Sequence, residues 1–581
     1  MEKIKENDPR FIGKKNNGYT KAIEISNLRL RLTPHSVFYC EKEQDVIEIL
    51  QYCKNHKTKF KIRSGGHHHE GACSGNEVII IDTSRLNKIE INGSILTVGP
   101  GAKLEDIYRK LLKDNKIFPG GGCESVAIGG LVQGGGWGPY SRLLGMTCDA
   151  LIEANIIMAT KKTDQARSSL FKATRVTSET HKDLFKAIKG SGGGNFGIIT
   201  ELKFNLHKLI IEDEKPEKLN CLGLKNVKEE RFQSNLLTFE IYIEDEQEAR
   251  KQVENWFNNA HLADPRITSF GRVYPKNNKT RFYIGAKVLH GNPEYLSHYI
   301  TSLLGDIPSK YRFEYNIQKF ETKENQLIGI KEKHKLNKNR SIDYFLLAKD
   351  TTISKLDLNA APGSTCDKPH PHKVSSFFPN KLSKDYEQSV VDKIEKGSKI
   401  YYDIKTPELL DSKEIFTENI FAKCFNKDLM LEIFDYMNMD ISYLDEKISC
   451  YLSLHGMGGA IENGDNSFYY KDRPFMFQIQ AWWEDVDTPF EDKYISWVEG
   501  LRLKLSNLTE GCFINFPDYN CILNKYHKFY DPNNHSQRQL LLEKFFGKEC
   551  NKDSLLTYLK EIKKTHDLDN FFNHEMSLIN K

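Results

Sequence analysis

The stretch RSGGHHHEG, residues 63–71, sets three consecutive histidines directly behind a glycine pair. It continues FKIR, a short β-type run, so the glycines mark where a strand ends and an exposed loop begins. Neighbouring residues on an extended chain point to opposite faces, which lets His67 and His69 share one face while His68 turns away. Two such histidines can ligate a metal, with Glu70 and Cys73 as the only further ligand types close by. A polar loop without metal satisfies the same pattern, and the residues alone leave both readings open.

Upstream, residues 33–62 read as strand, helix, strand, with EKEQDVIEILQYCKNHK as the amphipathic helix. Downstream lie EVIIIDTS, a buried-strand pattern, and KIEINGSILTVGPG, two short strands around an Asn-Gly turn. Glycine clusters recur at Gly65/Gly66, Gly120 to Gly138 and Gly190 to Gly197. Without a side chain, main-chain N–H groups can approach an anion closely, so three such loops point to a large phosphate-bearing cofactor held by backbone. Tight turns and bulges in a twisted sheet would also need glycine. No GxxxxGK followed by Ser or Thr occurs, and GGGWGPYSR lacks the strand, helix and acidic residue of a dinucleotide fingerprint.

At 581 residues the chain predicts two or three structural units. A net charge of +4, from 83 basic and 79 acidic residues, gives no basis for a nucleic-acid partner. The start, MEKIKENDPRFIGKKNNGYTKA, lacks the apolar core of a secretory signal, and no run of about 18 apolar residues occurs. These features predict a cytoplasmic protein with no membrane partner. The 12 cysteines contain no CxxC, which argues against a zinc ribbon. Past residue 206, LLTFEIYIED, TRFYIGAKVL and FMFQIQAWW alternate with helical segments and predict an antiparallel sheet carrying helices on one face. Residues 320–380, rich in Lys, Asn, Ser and Pro, predict long loops, and helices are expected at LLLEKFF and SLLTYLKEIKK.

RSGGHHHEG, then FPGGGCESVAIGGLVQGGGWGPYSRLLGMTCD, DLFKAIKGSGGGNFGIIT, FINFPD, YDPNN and FFNHE occur in this order. Together they resemble the berberine bridge enzyme-like branch of the FAD-linked oxidases, the vanillyl-alcohol oxidase or PCMH-type fold. The resemblance implies an α+β fold with a two-part FAD domain, residues 1–206 and 505–581, around an inserted substrate domain at 207–504. It also implies bicovalent FAD, with His67 bonded to the flavin 8α-methyl and Cys123 to flavin C6. Ala127 stands where the family has a glycine. Arg63, Ser64, Gly65, Gly66, His68, Gly129, Gly130, Gly134, Gly135, Gly136, Gly138, Asn195, Phe196, Gly197, Ile198 and Asn515 fall at positions expected to contact the cofactor. His68 and His69 then belong to the loop or flavin edge, with no metal implied. Val126 is the small residue that leaves dioxygen room beside the flavin, and Leu131 replaces a histidine that some relatives place near the ribityl chain.

For the substrate side, SLHGMGGAIENGDNSFYYKDRPFMFQIQAWW, residues 453–483, resembles the segment whose strand faces the flavin. Many microbial relatives carry YxNYPD, with a tyrosine that serves the catalytic base; Phe513 stands there in FINFPD and cannot take a proton. Candidate bases are Glu462, His455 and Tyr451, then Tyr469 and Tyr519. Trp482 and Trp483 can stack on a sugar ring or fill a core. The implied reaction is oxidation of a small molecule at a C–H next to O or N, with O2 reduced to H2O2. The rivals are a flavin dehydrogenase using another acceptor and a flavin-binding protein that has lost catalysis. Oligomeric state is not legible.

Overall fold

The computed structural model of the chain describes residues 8–160, 170–208, 235–323, 326–336, 372–379, 427–439, 449–482, 491–523, 530–551 and 553–579. Strand Phe60–Arg63 lies parallel to Ile79–Asp82, which in turn lies parallel to Ser36–Tyr39, and helix Glu43–His56 forms the crossover from Ser36–Tyr39 to Phe60–Arg63. The loop that starts at Arg63 therefore leaves the carboxyl end of a parallel strand, where open sheets commonly bind ligands. A second, five-stranded antiparallel sheet contains Ile89–Asn92, Ile95–Val98, Leu151–Ala159, Phe171–Thr177 and Ile198–Asn205. Its core joins Leu96, Ile156 and Leu202 to Leu541, Phe545, Leu556 and Leu559 of helices His535–Phe546 and Leu555–His566.

The third sheet has nine strands among the described residues. Helices Glu246–Asn259, Leu296–Leu304, Lys427–Met437 and Glu491–Leu505 share its core, with Trp256, Tyr299, Phe434 and Trp497 packed against Cys450, Leu452, Leu454, Phe477 and Ile479. Period-2 alternation sends the intervening residues to the opposite face. The arrangement is α+β, with helices on one face of an antiparallel sheet. Residues 320–380 differ from the loops their composition predicts. Arg312–Lys323 and Gln326–Leu336 pair as an antiparallel hairpin, and His372–Pro379 pairs with Phe475–Trp482. Among the described residues Gln326–Leu336 is an edge strand. The remainder of 320–380 lies outside the described residues.

Arg142, fully buried in the short helix Ser141–Leu144, ties the sheets together. Its guanidinium donates to the carbonyls of Met457 (2.9 Å), Ile267 (2.5 Å), His261 (3.0 Å) and Ala263 (2.7 Å). One cation thus anchors the nine-stranded sheet to the glycine-rich module. No helix among the described residues is long and apolar enough to cross a membrane.

Candidate active site

One cavity of about 380 Å³ runs between the glycine loops and the helix-free face of the nine-stranded sheet. Main chain builds its first wall. Ser64, Gly65, Gly66, His67, Cys123 and Val126 line it together, and the two loops touch because Gly65 packs against Ala127: a Cβ at 65 would sit 2.8 Å from the Ala127 nitrogen. Gly193 and Gly194, with φ of +50° and +79°, continue the wall beside Asn195. The Asn195 carboxamide oxygen accepts from Leu578 N at 3.0 Å and is thereby turned toward the carboxyl-terminal segment. Space above Gly130 is open, and Asn515 closes over Gly134 while its amide donates to the Leu131 carbonyl at 3.1 Å.

His67 lines this wall with an imidazole that burial, helped by nearby Lys103, drives down to about 4, against a hydrogen bond to the Ser125 main chain. It is neutral at neutral pH. His68 is likewise driven to about 4 by burial; its Nδ1 accepts from Ala72 N at 3.1 Å and its ring lies 6.1 Å from Tyr519. The His69 ring packs 5.3 Å from Phe516. Among the described residues no three His, Cys, Asp or Glu side chains are grouped to hold a metal. The Cys123 sulfur is disulfide-bonded, so that bond has to open before the sulfur can reach another atom.

Several residues expected at the cofactor do other work. Arg63 is buried and ion-paired to Asp82 at 2.5 Å, because the parallel pairing sets the two opposite each other. Gly129, Gly135, Gly136 and Gly138 do not line the cavity; their missing Cβ atoms make room for Pro100, Met146, Thr147 and the Gly120 carbonyl. Phe196 and Ile198 are core residues, and Gly197 lies against the Ile157 carbonyl. Sequence reading missed Gly121, Gly122, Gly193, Gly194 and the carboxyl-terminal Asn573, His574 and Met576. Burial lowers His574 to about 3, and its Nε2 has no hydrogen-bond partner among the described residues.

The second wall is made of side chains from three adjacent strands. Ile267–Val273 contributes Phe270 and Arg272, Ser449–Gly456 contributes Tyr451, Ser453 and His455, and Phe475–Trp482 contributes Gln478, Gln480 and Trp482. Register sets Arg272 opposite Ser453, Tyr451 opposite Gln480 and Ser453 opposite Gln478. The Gln478 Oε1 accepts from Gln480 Nε2 at 2.9 Å and faces His455 Nε2 at 3.0 Å. His455 therefore carries its proton on Nε2, which leaves the Nδ1 lone pair as acceptor. That Nδ1 is buried without a hydrogen-bond partner among the described residues, and burial lowers the imidazole to about 4. Trp137 meets the ring edge-on at 4.7 Å.

Tyr451 donates to Gln480 Oε1 at 3.2 Å, and the Arg272 guanidinium sits 4.7 Å over its ring. Burial raises the Tyr451 phenol despite that cation, so it stays protonated. Glu462 is not brought to the cavity: the turn Gly459–Ile461 buries Ile461 and leaves Glu462 exposed behind it. Tyr469 is exposed, and Tyr519 is buried outside the cavity lining. Trp483 lies outside the described residues. Phe513 also differs from its expected place. Its ring is 1% exposed against Phe468 and Phe516, while Ile514, Asn515 and Phe516 face the cavity.

The fold has counterparts among solved structures, and part of the chain among known sequences. Residues 34–163 match the FAD binding domain family. The chain is 30% identical over 206 residues to the FAD-linked oxidoreductase YgaK of Bacillus subtilis, an alignment covering 35% of this chain and 44% of that protein. It is 32% identical over 198 residues to berberine bridge enzyme-like 16 of Arabidopsis thaliana, covering 33% and 34%. The matched stretch thus spans less than half the length of these relatives. Over 98% of the chain the fold superposes on chitooligosaccharide oxidase (TM-score 0.67, 15% identity, 97% of that chain). A variant of Physcomitrella patens BBE-like 1 superposes over the same share (TM-score 0.66, 16% identity, 97% of that chain). Residues 34–163 are therefore similar to an FAD binding domain, within a fold that the chain shares with chitooligosaccharide oxidase and the BBE-like 1 variant.

The first wall fits that cofactor. Open space at Gly130, Gly193 and Gly194 lets an extended ligand approach main chain without steric cost, and the His574 Nε2, without a hydrogen-bond partner among the described residues, supplies a further polar contact.

Proposed function

We propose that the protein is an FAD-dependent oxidase that removes hydrogen from a C–H next to oxygen or nitrogen in a small organic substrate. The single observation that carries this reading is the His455 Nδ1 lone pair, buried and unsatisfied on a neutral ring, across the cavity from the glycine loops. When bound, FAD accepts a hydride and passes electrons to dioxygen, giving hydrogen peroxide. His455 takes the substrate O–H or N–H proton, Gln478 holds the ring in its acceptor tautomer, and Arg272 stabilises negative charge developing on substrate oxygen. Val126, a small cavity-lining residue, leaves room for dioxygen, which favours oxidase over dehydrogenase.

His67 is the proposed covalent anchor. A neutral imidazole has the free lone pair that a covalent bond to the flavin would use, and its low pKa keeps it neutral. Cys123 is the proposed second anchor, available once its disulfide is reduced. The mixed amide, hydroxyl and aromatic character of the sheet wall suits a hydroxyl-rich substrate such as a sugar, the substrate class named in chitooligosaccharide oxidase. The test is anaerobic mixing of the flavin-loaded protein with a panel of oligosaccharides and alcohols, followed by oxygen. The reading expects bleaching of flavin absorption with at least one substrate and stoichiometric peroxide on reoxidation. A flavin that no substrate reduces, or one that oxygen leaves reduced, opposes it.

A further inference from the structure

The loop carrying FINFPD separates two cavities. Ile514, Asn515 and Phe516 face the large one, whereas Cys512 and Cys521, at the loop's two ends, line a smaller one of about 120 Å³ with Ser376, Thr509 and Lys544. Both cysteines are free thiols on the lining of the same small cavity, and Cys512 interacts with the Cys521 thiol. Local structure fixes each end. Cys512 N donates to the Lys544 carbonyl at 2.8 Å, and Cys521 sits in the 3-10 turn Tyr519–Ile522, whose first turn is capped by the Asp518 carboxylate accepting from Asn520 N at 3.0 Å. Between them, the Ser376 hydroxyl accepts from Phe513 N at 3.2 Å and donates to the Phe516 carbonyl at 2.7 Å.

We propose that Cys512 and Cys521 are a peroxide-oxidisable dithiol whose disulfide reshapes the cavity wall at Ile514–Phe516. Cys521, half-buried, is the thiol a small oxidant reaches first; Cys512 is 1% exposed and acts as the resolving partner. The Cys521 thiolate attacks one oxygen of hydrogen peroxide, giving a sulfenic acid and hydroxide. The Cys512 sulfur then attacks the Cys521 sulfur, the S–S bond forms, and the hydroxyl leaves as water. Two thiols lose two electrons and two protons, and one peroxide becomes two waters. Closing from thiol contact to a bond of about 2.05 Å draws the loop ends together. Asn515 and Phe516 shift with them, since Ser376 couples the loop's interior to its frame.

The hydrogen bond from Cys512, followed by burial, holds the Cys521 thiol well above the ordinary range, so oxidation is slow at neutral pH. Asp518 disfavours the thiolate as well, while Lys544 favours it. The source of peroxide rests on the oxidase reading, but the dithiol itself does not, because added peroxide tests it without turnover.

The experiment treats the flavin-loaded wild-type protein with millimolar hydrogen peroxide, blocks remaining thiols under denaturing conditions and maps peptides by mass. The expected result is a peptide pair joined through Cys512 and Cys521, lighter by two hydrogens and separated by dithiothreitol. In the C512S protein, dimedone should label Cys521 instead. Recovery of both cysteines as blocked thiols, or of sulfinic acid without a link, overturns the proposal. A link that forms while the flavin absorption band and substrate KM both stay unmoved overturns its effect on the cavity; a change of twofold or more in KM, absent from peroxide-treated C512S, supports it.

Discussion

The two walls of the cavity are built on opposite principles. The glycine-loop wall offers main chain: Gly65, Gly130, Gly193 and Gly194 contribute by lacking side chains, and backbone conformation fixes their N–H groups. The sheet wall offers side chains, with Arg272, Tyr451, Ser453, His455, Gln478 and Gln480 standing on three paired strands at every second residue. A backbone wall suits one invariant ligand, since it cannot be retuned without moving the chain. A side-chain wall changes its chemistry one substitution at a time while the sheet stays as it is. Arg142 holds the two in register through five carbonyl bonds, so the spacing of the walls depends on a residue outside the cavity.

The sharpest way to break the comparison is on the side-chain wall. His455→Gln should slow substrate-driven flavin reduction by about a thousandfold, within the range for loss of a general base, and leave flavin content intact. Rapid-mixing absorbance measures the first and a denatured-protein spectrum the second. The latch comes next. Arg142→Met leaves five carbonyls without their buried donor and should cost about 3 kcal/mol of stability by denaturant unfolding. If the walls are independent, that variant will instead unfold like wild type.

Acid should act on both walls. Burial holds His67, His68 and His455 near 4, below the ordinary 6.5. The unfolded chain then binds protons that the folded chain refuses. Stability is complete above pH 6.5 and falls as pH drops toward 4, by about 1.4 kcal/mol per pH unit for each histidine. Thermal unfolding across that window measures it. The proton acceptor also stays neutral above about 4, so kcat/KM should show no histidine-type inflection between pH 6 and 7. The smallest effect belongs to the backbone wall: Gly194→Ala, at φ +79°, should cost about 1 kcal/mol of stability and show as a lower urea midpoint for the flavin-loaded protein.

The asymmetry also decided what the sequence could disclose. Glycine clusters after strands have few uses, so the loops at 65–66, 120–138 and 190–197 stood out, whereas His67 was set apart from its neighbours only by the resemblance of RSGGHHHEG to a family motif. Which glycine meets a ligand and which merely clears Met146 or Thr147 depends on packing that spacing does not encode. On the sheet wall, Gln478 and Arg272 carry no motif. They become a site only when strands from 267, 449 and 475 align, and alternation alone does not tell which face is covered by helices. Glu462 looked eligible because it adjoins GGAI, yet the turn there buries Ile461 and sends it to solvent. Phe513 matched a tyrosine position by spacing, whereas the loop's turn presents Phe516 to the cavity. His455 was legible as a candidate through its place beside GGAI.

The central claim is that the glycine wall holds FAD through His67, with Cys123 as a second attachment point. Its most direct test is the absorption spectrum of acid-precipitated protein, taken for wild type, His67→Ala, Cys123→Ala and the double variant. With each protein loaded with FAD under reducing conditions that open the Cys123 disulfide, wild type and both single variants should give a yellow pellet, and only the double variant should leave free flavin in the supernatant. Flavin released from the wild-type protein by acid would contradict it.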